Sequence, residues 1–250
     1  MTGIFIIARL GSSRLKNKHL IKVNEKTFIE WLVDRFIFSF KDEIAKNNIK
    51  IFLVTSINPD NQLFNLIFSK KKEIEVFYGS DINIPLRLLQ CAEENKIDQI
   101  VSIDGDDILC STLATSFIIN ELNFGENIVK TIGLPLGMNA IGFKKKYLQF
   151  CLKNKINKKL ETGWGKIFSD SDMKIINIDC FYDSKKIRAT LDYKEDMEFF
   201  KVVIAYFDKN ILKIEDDQLI KTILKKEWYK INDFLFDEYW DNFNKQKYTE

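Results

Sequence analysis

The chain has 250 residues, of which 46% are hydrophobic and 30% are charged, a composition typical of one sizeable globular domain. Its 38 Lys and Arg residues nearly balance its 36 Asp and Glu residues, so the net charge of +2 gives no overall field that favours nucleic acid or a membrane surface. The single histidine, His19, excludes a multi-histidine metal centre, and we expect carboxylates, lysines and arginines to carry any chemistry.

The cysteines and the apolar runs predict the compartment. The four cysteines have no CxxC spacing, which predicts reduced thiols rather than a zinc site or disulfides; they are Cys91, Cys110, Cys151 and Cys180. The apolar run at 4–8 is too short for a signal peptide, and no stretch approaches the ~20 residues that cross a bilayer. We therefore expect a cytoplasmic protein without a membrane segment.

Short β-branched runs alternate with longer amphipathic patterns through the first hundred residues. The predicted strands are 3–8, 49–56, 74–78 and 98–104, and the predicted helices are 27–46, 58–71 and 83–95. In the helix 58–71, Leu63, Leu66 and Ile67 are predicted to face inward. This alternation predicts an α/β fold, with a mostly parallel, mixed sheet covered by helices on both faces.

Ligands of such sheets bind at the carboxyl ends of the strands. The loops that we expect to share this edge are 9–20, 55–60, 79–87 and 104–110. The first of these loops is cationic and the last is acidic, so the sequence predicts that opposite charges meet there.

Beyond residue 111 the pattern is looser. The predicted helices are 112–123, 144–153, 160–168 and 193–207, and the predicted strands are 127–133, 139–143, 173–179 and 186–192. The last forty residues are predicted to form two terminal helices. We expect one domain at 1–210, with 211–250 as a helical extension packed on it.

The first loop has the composition of a phosphate site. In ARLGSSRLKNK, the cations Arg9, Arg14, Lys16 and Lys18 surround Gly11 and two serines, whose backbone N–H groups are approachable. The P-loop pattern GxxxxGK[ST] is absent. The alternative interpretation is a solvated surface loop.

The turn SIDGDDILC places Asp104, Asp106 and Asp107 at the end of a buried strand. Mg²⁺ takes one or two protein carboxylates together with phosphate oxygens and water, so a metal role is one interpretation. An Asp-Gly turn that merely ends the strand is the other interpretation.

A second acidic stretch is RATLDYKEDME. Asp192 ends a predicted strand there, whereas Glu195 and Asp196 fall in the first turn of a predicted helix, where negative charge is favourable.

Together these stretches resemble the cytidylyltransferases that make CMP-activated sugars. The relevant enzymes act on 3-deoxy-manno-octulosonate and acylneuraminate, and the most similar branch is the spore-coat-polysaccharide type. The matching motifs are ARxxSxRLPxKxL at 8–20, GS..DVL.R at 79–87, GDxPL at 105–109 and LDxPED at 191–196. Their order and spacing hold over roughly residues 3–207.

The resemblance implies a three-layer, Rossmann-like nucleotidyltransferase fold, CTP as donor, Mg²⁺ as cofactor, and usually a homodimer that serves polysaccharide biosynthesis. It implies that Arg9, Arg14 and Lys18 bind the triphosphate and that Asp106 and Asp192 hold Mg²⁺, with Lys18, Arg14 and Asp106 catalytic. The implied nucleotide contacts are Ala8, Arg9, Leu10, Gly11, Ser12, Ser13, Arg14, Lys18, Ser56, Ser80, Arg87, Asp104 and Gly105.

The chain departs from the family pattern where prolines are replaced by Lys16, Ile108 and Lys194. This relaxes the backbone without removing a charged ligand. Where the family often has a Glu-His pair, this chain has Glu161, Thr162, Gly163, Trp164 and Gly165. The acceptor contacts are therefore expected at Glu161, Trp164 and Asn139, although the tryptophan could instead fill the core and Asn139 could belong to a plain β-turn.

Three alternatives stay open at this point. Asp104-Gly105-Asp106 is also a DxD sequence, which metal-dependent glycosyltransferases use for nucleotide-sugars. The acceptor of a cytidylyl transfer could be a non-sugar such as a phosphonate. The third alternative is a non-catalytic nucleotide-binding module.

Overall fold

The computed structural model describes residues 1–153, 155–156, 158–161, 163–180, 183–237 and 240–241. Thr162 and most of residues 238–250, at the end of the predicted extension, lie outside the described residues. The strands are β1 (Thr2–Ile7), β2 (Lys22–Val23), β3 (Lys26–Thr27), β4 (Ile49–Ser56), β5 (Ile74–Gly79), β6 (Gln99–Asp104), β7 (Ile128–Ile132), β8 (Ile141–Lys144) and β9 (Lys174–Asn177). The α-helices are α1 (Phe28–Ser39), α2 (Lys41–Ala45), α3 (Leu63–Phe68), α4 (Ile84–Glu94), α5 (Thr112–Phe124), α6 (Lys145–Leu152), α7 (Lys194–Phe207) and α8 (Asp216–Lys225).

Within the described residues, seven strands form one sheet in the order β5-β4-β1-β6-β8-β7-β9, and β2 and β3 form a small separate hairpin. Strand β1 pairs in parallel with β4 and β6, and β4 pairs in parallel with β5. Strand β8 runs antiparallel to both β6 and β7, and β7 pairs in parallel with β9. The predicted fold class, a mostly parallel mixed sheet in an α/β domain, is confirmed.

Alternation along the central strand divides the core into two layers. Ile4 and Ile6 of β1 point to the face that α1, α3 and α5 cover, whereas Phe5 and Ile7 point to the face covered by α4 and α6. A third apolar cluster joins α7, α8 and the buried turn residues Ile108 and Leu109. The described part of the predicted extension belongs to this cluster.

Two of the predicted helices differ from the observed ones. The pattern at 27–46 is broken at Phe40, where α1 ends and α2 begins. In the segment 58–71 only Leu63–Phe68 is α-helical, and the prediction that Leu63 and Leu66 face inward is wrong: both are exposed, while Phe64 and Phe68 are buried. Buried side chains of this segment recur at 61, 64 and 68, with Asn61 in the 3-10 turn Pro59–Gln62 that precedes the helix.

Three predictions in the second half are also wrong or incomplete. Segment 160–168 contains a single 3-10 turn, Trp164–Ile167, because Gly163 adopts a left-handed conformation before it. Segment 186–192 is no strand: it touches the sheet region through one isolated bridge, between Arg188 and Leu136. After α8, the described chain continues in the 3-10 turns Trp228–Ile231 and Asp233–Leu235; residues 236–237 and 240–241 are helical, and most of the predicted second terminal helix lies outside the described residues.

The predictions of reduced cysteines and of no membrane segment can be compared with the structure. The cysteines are free thiols, two of them buried and two half-buried. In the described part of the chain no helix is both long and apolar enough to span a bilayer.

Candidate functional site

An open cleft of about 790 Å³ lies at the carboxyl ends of β1 and β6. The loop after β1, the acidic turn after β6 and the start of α4 line it, whereas no residue of 55–60 does. Most of the loops predicted to share one edge therefore do so. The predicted residues that line the cleft are Ala8, Arg9, Gly11, Ser12, Ser13, Arg14, Lys18, Arg87, Asp104, Asp106, Asn139, Glu161, Trp164 and Asp192.

The first loop is held in place by the buried side-chain amide of Asn61, which no sequence pattern singles out. The N–H group of Leu10 donates to Asn61 Oδ1 at 2.8 Å, and Asn61 Nδ2 donates to the Ser56 carbonyl at 3.1 Å. Leu10 and Ser56 are consequently buried behind the loop rather than exposed in the cleft. Beyond the loop, Asn17 adopts a left-handed conformation that begins the 3-10 turn Lys18–Leu20 and leaves Lys18 and His19 buried.

The acidic turn approaches the first loop closely because residue 105 is glycine. The Gly105 N–H group donates to the Ile7 carbonyl at 2.7 Å. A Cβ atom on residue 105 would lie 2.7 Å from that carbonyl oxygen and 2.9 Å from the Ala8 Cβ, so a larger residue would push the two segments apart. Gly105 thus allows the acidic turn to pack closely against the first loop, although it does not itself line the cleft.

Lys18 joins the two carboxylates that the resemblance assigned to one metal. Its Nζ lies 2.5 Å from Asp106 Oδ2 and 3.1 Å from Asp192 Oδ1, and the side chain is only 7% exposed. Burial alone would lower the pKa of Lys18, but the two carboxylates outweigh it and raise that pKa above its usual value. Lys18 is therefore a fixed cation at the floor of the cleft.

His19 holds the other oxygen of Asp106. Its Nε2 lies 2.7 Å from Asp106 Oδ1, and its Nδ1 lies 3.1 Å from the Arg9 carbonyl oxygen. Both partner atoms can accept a hydrogen bond from the ring. Burial would raise the pKa of Asp106, but Lys18 and His19 lower it far below its usual range.

Two arginines complete the surroundings of Asp192. Arg14 donates to Asp192 Oδ1 at 2.8 Å from the solvent side, and the buried Arg188 lies 3.4 Å from Oδ2. Burial lowers the pKa of Arg14, but Asp192 raises it by more. The sequence-based prediction selected Arg14 and Asp192 and missed Arg188 and His19.

The remaining carboxylates of the turn sit in an unfavourable field. Asp104 opens onto the cleft, yet protein surrounds it on its other sides, and this burial together with Asp106 raises its pKa to about 6. Burial and the charges of Asp104 and Asp106 likewise raise the pKa of Asp107 well above its usual value. The positive charge of Lys18 offsets the negative charge of Asp106, but the ionised forms of Asp104 and Asp107 remain unfavourable.

This field predicts a pH-dependent effect of Asp104→Asn on stability. The folded protein keeps the Asp104 proton up to a pH of about 6, whereas an unfolded Asp loses it near pH 4, so the contribution of Asp104 to the free energy of unfolding is lost as the pH rises through 6. After a discount for solvent screening, we expect the variant to gain about 1 kcal/mol over wild type at pH 8 and nothing at pH 4.

Urea denaturation in EDTA at the two pH values measures this difference. Asp98→Asn is the matched control, because a hydrogen bond from the amino terminus lowers the pKa of Asp98 and the variant should lose stability at pH 8 instead. A gain for Asp104→Asn that is equal at both pH values would contradict the assignment.

Arg9 and Glu161 both line the cleft and form an ion pair with each other, and Lys159 lies 3.6 Å from the second Glu161 oxygen. Glu161, expected at the acceptor, thus contacts the predicted nucleotide loop.

Arg87 lines the cleft, but its guanidinium donates to the Ser80 carbonyl at 2.7 Å and to the Asp81 carbonyl at 3.2 Å. Burial and the nearby Arg9 lower the pKa of Arg87 to about 10. Ser80 itself does not line the cleft.

The predicted acceptor side contains both an apolar wall and a second cavity. Trp164 packs edge-on against Phe143 and Phe168, with ring centres 6.2 Å apart in each case, and it lines the cleft as well as filling the core. Asn139 Nδ2 donates to the Leu134 carbonyl at 2.9 Å and so braces its turn. A cavity of about 470 Å³ continues from the acidic turn past Asn139 to Gly137.

The donor set fits Mg²⁺ only together with a substrate. Among the described residues no group of three or more His, Cys, Asp and Glu side chains is arranged to hold a metal. Asp106 and Asp192, however, both contact the same cation, Lys18 Nζ, so their oxygens lie close enough to share one. Two carboxylates completed by phosphate oxygens and water are the ligands that Mg²⁺ takes at nucleotide sites.

Comparisons with known proteins agree with this geometry. Residues 4–56 match a family model described as Cytidylyltransferase. The chain is 27% identical over 232 residues to the uncharacterized protein MJ1063 of Methanocaldococcus jannaschii, which covers 90% of this chain and 91% of the relative.

Solved structures extend the likeness over most of the chain. A cytidylyltransferase from Leptospira borgpetersenii serovar Hardjo-bovis has a TM-score of 0.77 at 23% identity, covering 91% of this chain and 95% of that one. A CMP:2-keto-3-deoxy-manno-octonic acid synthetase, solved with CTP, has a TM-score of 0.60 at 12% identity, covering 82% and 98%. The comparisons confirm the predicted resemblance to the cytidylyltransferases: the family model matches the first loop and its flanking strands, and the solved structures share the fold.

Proposed function

We propose that this protein is a CTP-dependent cytidylyltransferase, which transfers CMP to the hydroxyl group of a sugar acid or a related acceptor and releases pyrophosphate. The observation that carries the proposal is the meeting of the cationic first loop with two carboxylates: Lys18 Nζ bridges Asp106 and Asp192, and Arg14 also contacts Asp192. The family match over 4–56 covers this loop, and CTP is bound by one of the solved relatives.

The first loop supplies the charge that the triphosphate needs. Arg9, Arg14 and Lys18 carry three fixed positive charges around approachable backbone N–H groups at Gly11 and Ser12. They bind the β- and γ-phosphates and stabilise the negative charge that develops on the leaving pyrophosphate. Because Lys18 is held by two carboxylates, it is oriented before the nucleotide arrives.

Asp106 and Asp192 would hold Mg²⁺. When bound there, the ion neutralises phosphate charge and polarises the α-phosphoryl group. The two carboxylates would hold the ion beside the cationic loop, whose Lys18 they both contact, and His19 and Arg188 keep the carboxylates oriented. The acceptor hydroxyl oxygen attacks the α-phosphorus and loses its proton to water, while the bond from the α-phosphorus to the bridging oxygen breaks and pyrophosphate leaves.

The acceptor would lie on the side of Trp164 and Asn139. The apolar face of Trp164 suits the carbon face of a sugar ring, and Lys130, which lines both cavities, suits an anionic group of the acceptor. A phosphonate acceptor satisfies the same features. The homodimer implied by the resemblance remains a prediction.

A pyrophosphate-release screen tests the function. The four nucleoside triphosphates are crossed, with Mg²⁺, against nine-carbon and eight-carbon sugar acids, amino-sugar derivatives and phosphonates. We expect pyrophosphate from CTP with a matching acceptor, and much less from the other nucleotides. If the folded protein released no pyrophosphate with any combination of nucleotide and acceptor, the proposed enzymatic function would be refuted.

A further inference from the structure

The C-terminal segment reaches the back of the proposed catalytic site through one side chain. Asn232 lies in the turn after α8 and is fully buried. Its Nδ2 donates to the Arg188 carbonyl at 2.9 Å and to Asp196 Oδ1 at 2.8 Å. These partners are 44 and 36 residues away in the chain, so the turn ties the C-terminal segment to the region of Asp192.

Asp196 is the centre of this arrangement. Its Oδ1 accepts from Asn232 and from Arg188 Nε, the latter at 2.9 Å. Its Oδ2 accepts from Arg188 at 3.0 Å and from the backbone N–H groups of Asp192 and Tyr193, both at 2.9 Å. A fully buried carboxylate with this many donors is rigid, and its donors are rigid with it.

Asp192 depends on this arrangement because its segment has no strand ladder to hold it. The segment is fixed by Leu191 N–H donating to the Asp106 carbonyl at 2.9 Å, by the bridge at Arg188 and by the two backbone bonds to Asp196. Arg188 adds a direct contact to the Asp192 carboxylate at 3.4 Å. Loss of an Asp196 partner therefore moves the carboxylate that contacts Lys18 and Arg14.

We propose that Asn232 is a positioning residue of the active site: through Asp196 and Arg188 it holds the Asp192 carboxylate in place. The C-terminal segment is then part of the catalytic apparatus as well as of the apolar core. The proposal rests on the proposed role of Asp192, but the arrangement of the backbone at 192 and 193 is measurable without turnover.

The experiment compares Asn232→Ala and Asn232→Asp with Leu235→Ala. The alanine variant removes both donated bonds, and the aspartate variant keeps the shape but sets a carboxylate against that of Asp196. Leu235 is buried in the same C-terminal stretch and has no contact with Asp196 among the hydrogen bonds described, so its truncation measures packing loss alone. All variants are assayed at a temperature at which thermal melts show each to be folded.

We expect kcat of both Asn232 variants to fall about 10- to 100-fold, with Asn232→Asp lower, while KM for CTP changes less than about threefold. Leu235→Ala should keep its kcat. Hydrogen exchange followed by NMR should show faster exchange of the Asp192 and Tyr193 amides in the Asn232 variants only.

The proposal is overturned if these two amides exchange as in wild type, or if Asn232→Ala loses no more kcat than Leu235→Ala. Should the wild-type protein release no pyrophosphate at all, the proposed function fails, and the amide exchange alone decides whether Asn232 positions the Asp192 segment.

Discussion

Replacing Asp106 by asparagine is expected to lower kcat about 1,000-fold and to leave the fold intact. The substitution keeps the shape of the side chain but removes the charge that contacts Lys18 at 2.5 Å and His19 at 2.7 Å. It also removes one of the two carboxylates proposed to hold Mg²⁺, and electrostatic stabilisation of this kind is worth roughly 3–4 kcal/mol of the barrier. Steady-state pyrophosphate release, with circular dichroism to check the fold, measures the effect.

Asp107→Asn is the matched control for this variant. Asp107 is the next residue in the same turn, but it contacts the side of Gly137 and Thr190 rather than Lys18. We expect it to lose less than about tenfold in kcat. Equal losses in the two variants would show that activity depends on the intact turn as a whole, and would contradict a specific role for Asp106.

Lys18→Met is expected to lower kcat/KM for CTP by about 1,000-fold and the free energy of unfolding at pH 7 by about 3 kcal/mol. The first effect follows from the loss of a cation at the phosphates. The second follows because Asp106 and Asp192 lose the buried ammonium that they share, and a buried charge without its partner is costly. Activity assays and urea denaturation measure the two effects.

The same variant gives a test that needs no turnover. With Lys18 gone, a divalent cation has no competitor between the two carboxylates, so Mg²⁺ should raise the Tm of Lys18→Met more than that of wild type. Lys16→Met is the control, because Lys16 is an exposed cation of the same loop. If Mg²⁺ stabilised wild type, Lys16→Met and Lys18→Met equally, Asp106 and Asp192 would not be the ligands.

Local patterns in the sequence predicted most of the sheet and the two halves of the site. The alternation of apolar strands with amphipathic helices is a local property, so β1, β4, β5 and β6 were predicted to within about two residues of their ends. The glycine and cations of the first loop and the aspartates of the turn after β6 stand beside strand ends. The parallel topology then placed them at one edge of the sheet.

The sequence could not predict the contacts that hold these groups. His19 contacts Asp106, Asn61 accepts from Leu10 and Asn232 donates to Asp196 across 87, 51 and 36 residues of chain, and no periodicity marks such pairs. Leu63 and Leu66 were assigned to the wrong face because the helix has apolar residues on two faces, and Phe64 and Phe68 are the ones that the core buries. Segment 186–192 has a strand-like composition, yet hydrogen bonds to Asp196 and to a single turn replace the ladder.

The fate of the α-phosphate of CTP tests the central claim most directly. CTP carrying ¹⁸O on the non-bridging oxygens of its α-phosphate is incubated with Mg²⁺ and an acceptor identified in the screen, and the products are separated and analysed by mass spectrometry. The proposed function predicts that the label appears in a CMP-linked acceptor, with one unlabelled pyrophosphate released for each. Label that stays entirely in a free nucleotide, while the γ-phosphate is transferred to the acceptor or CTP is only hydrolysed, would contradict it.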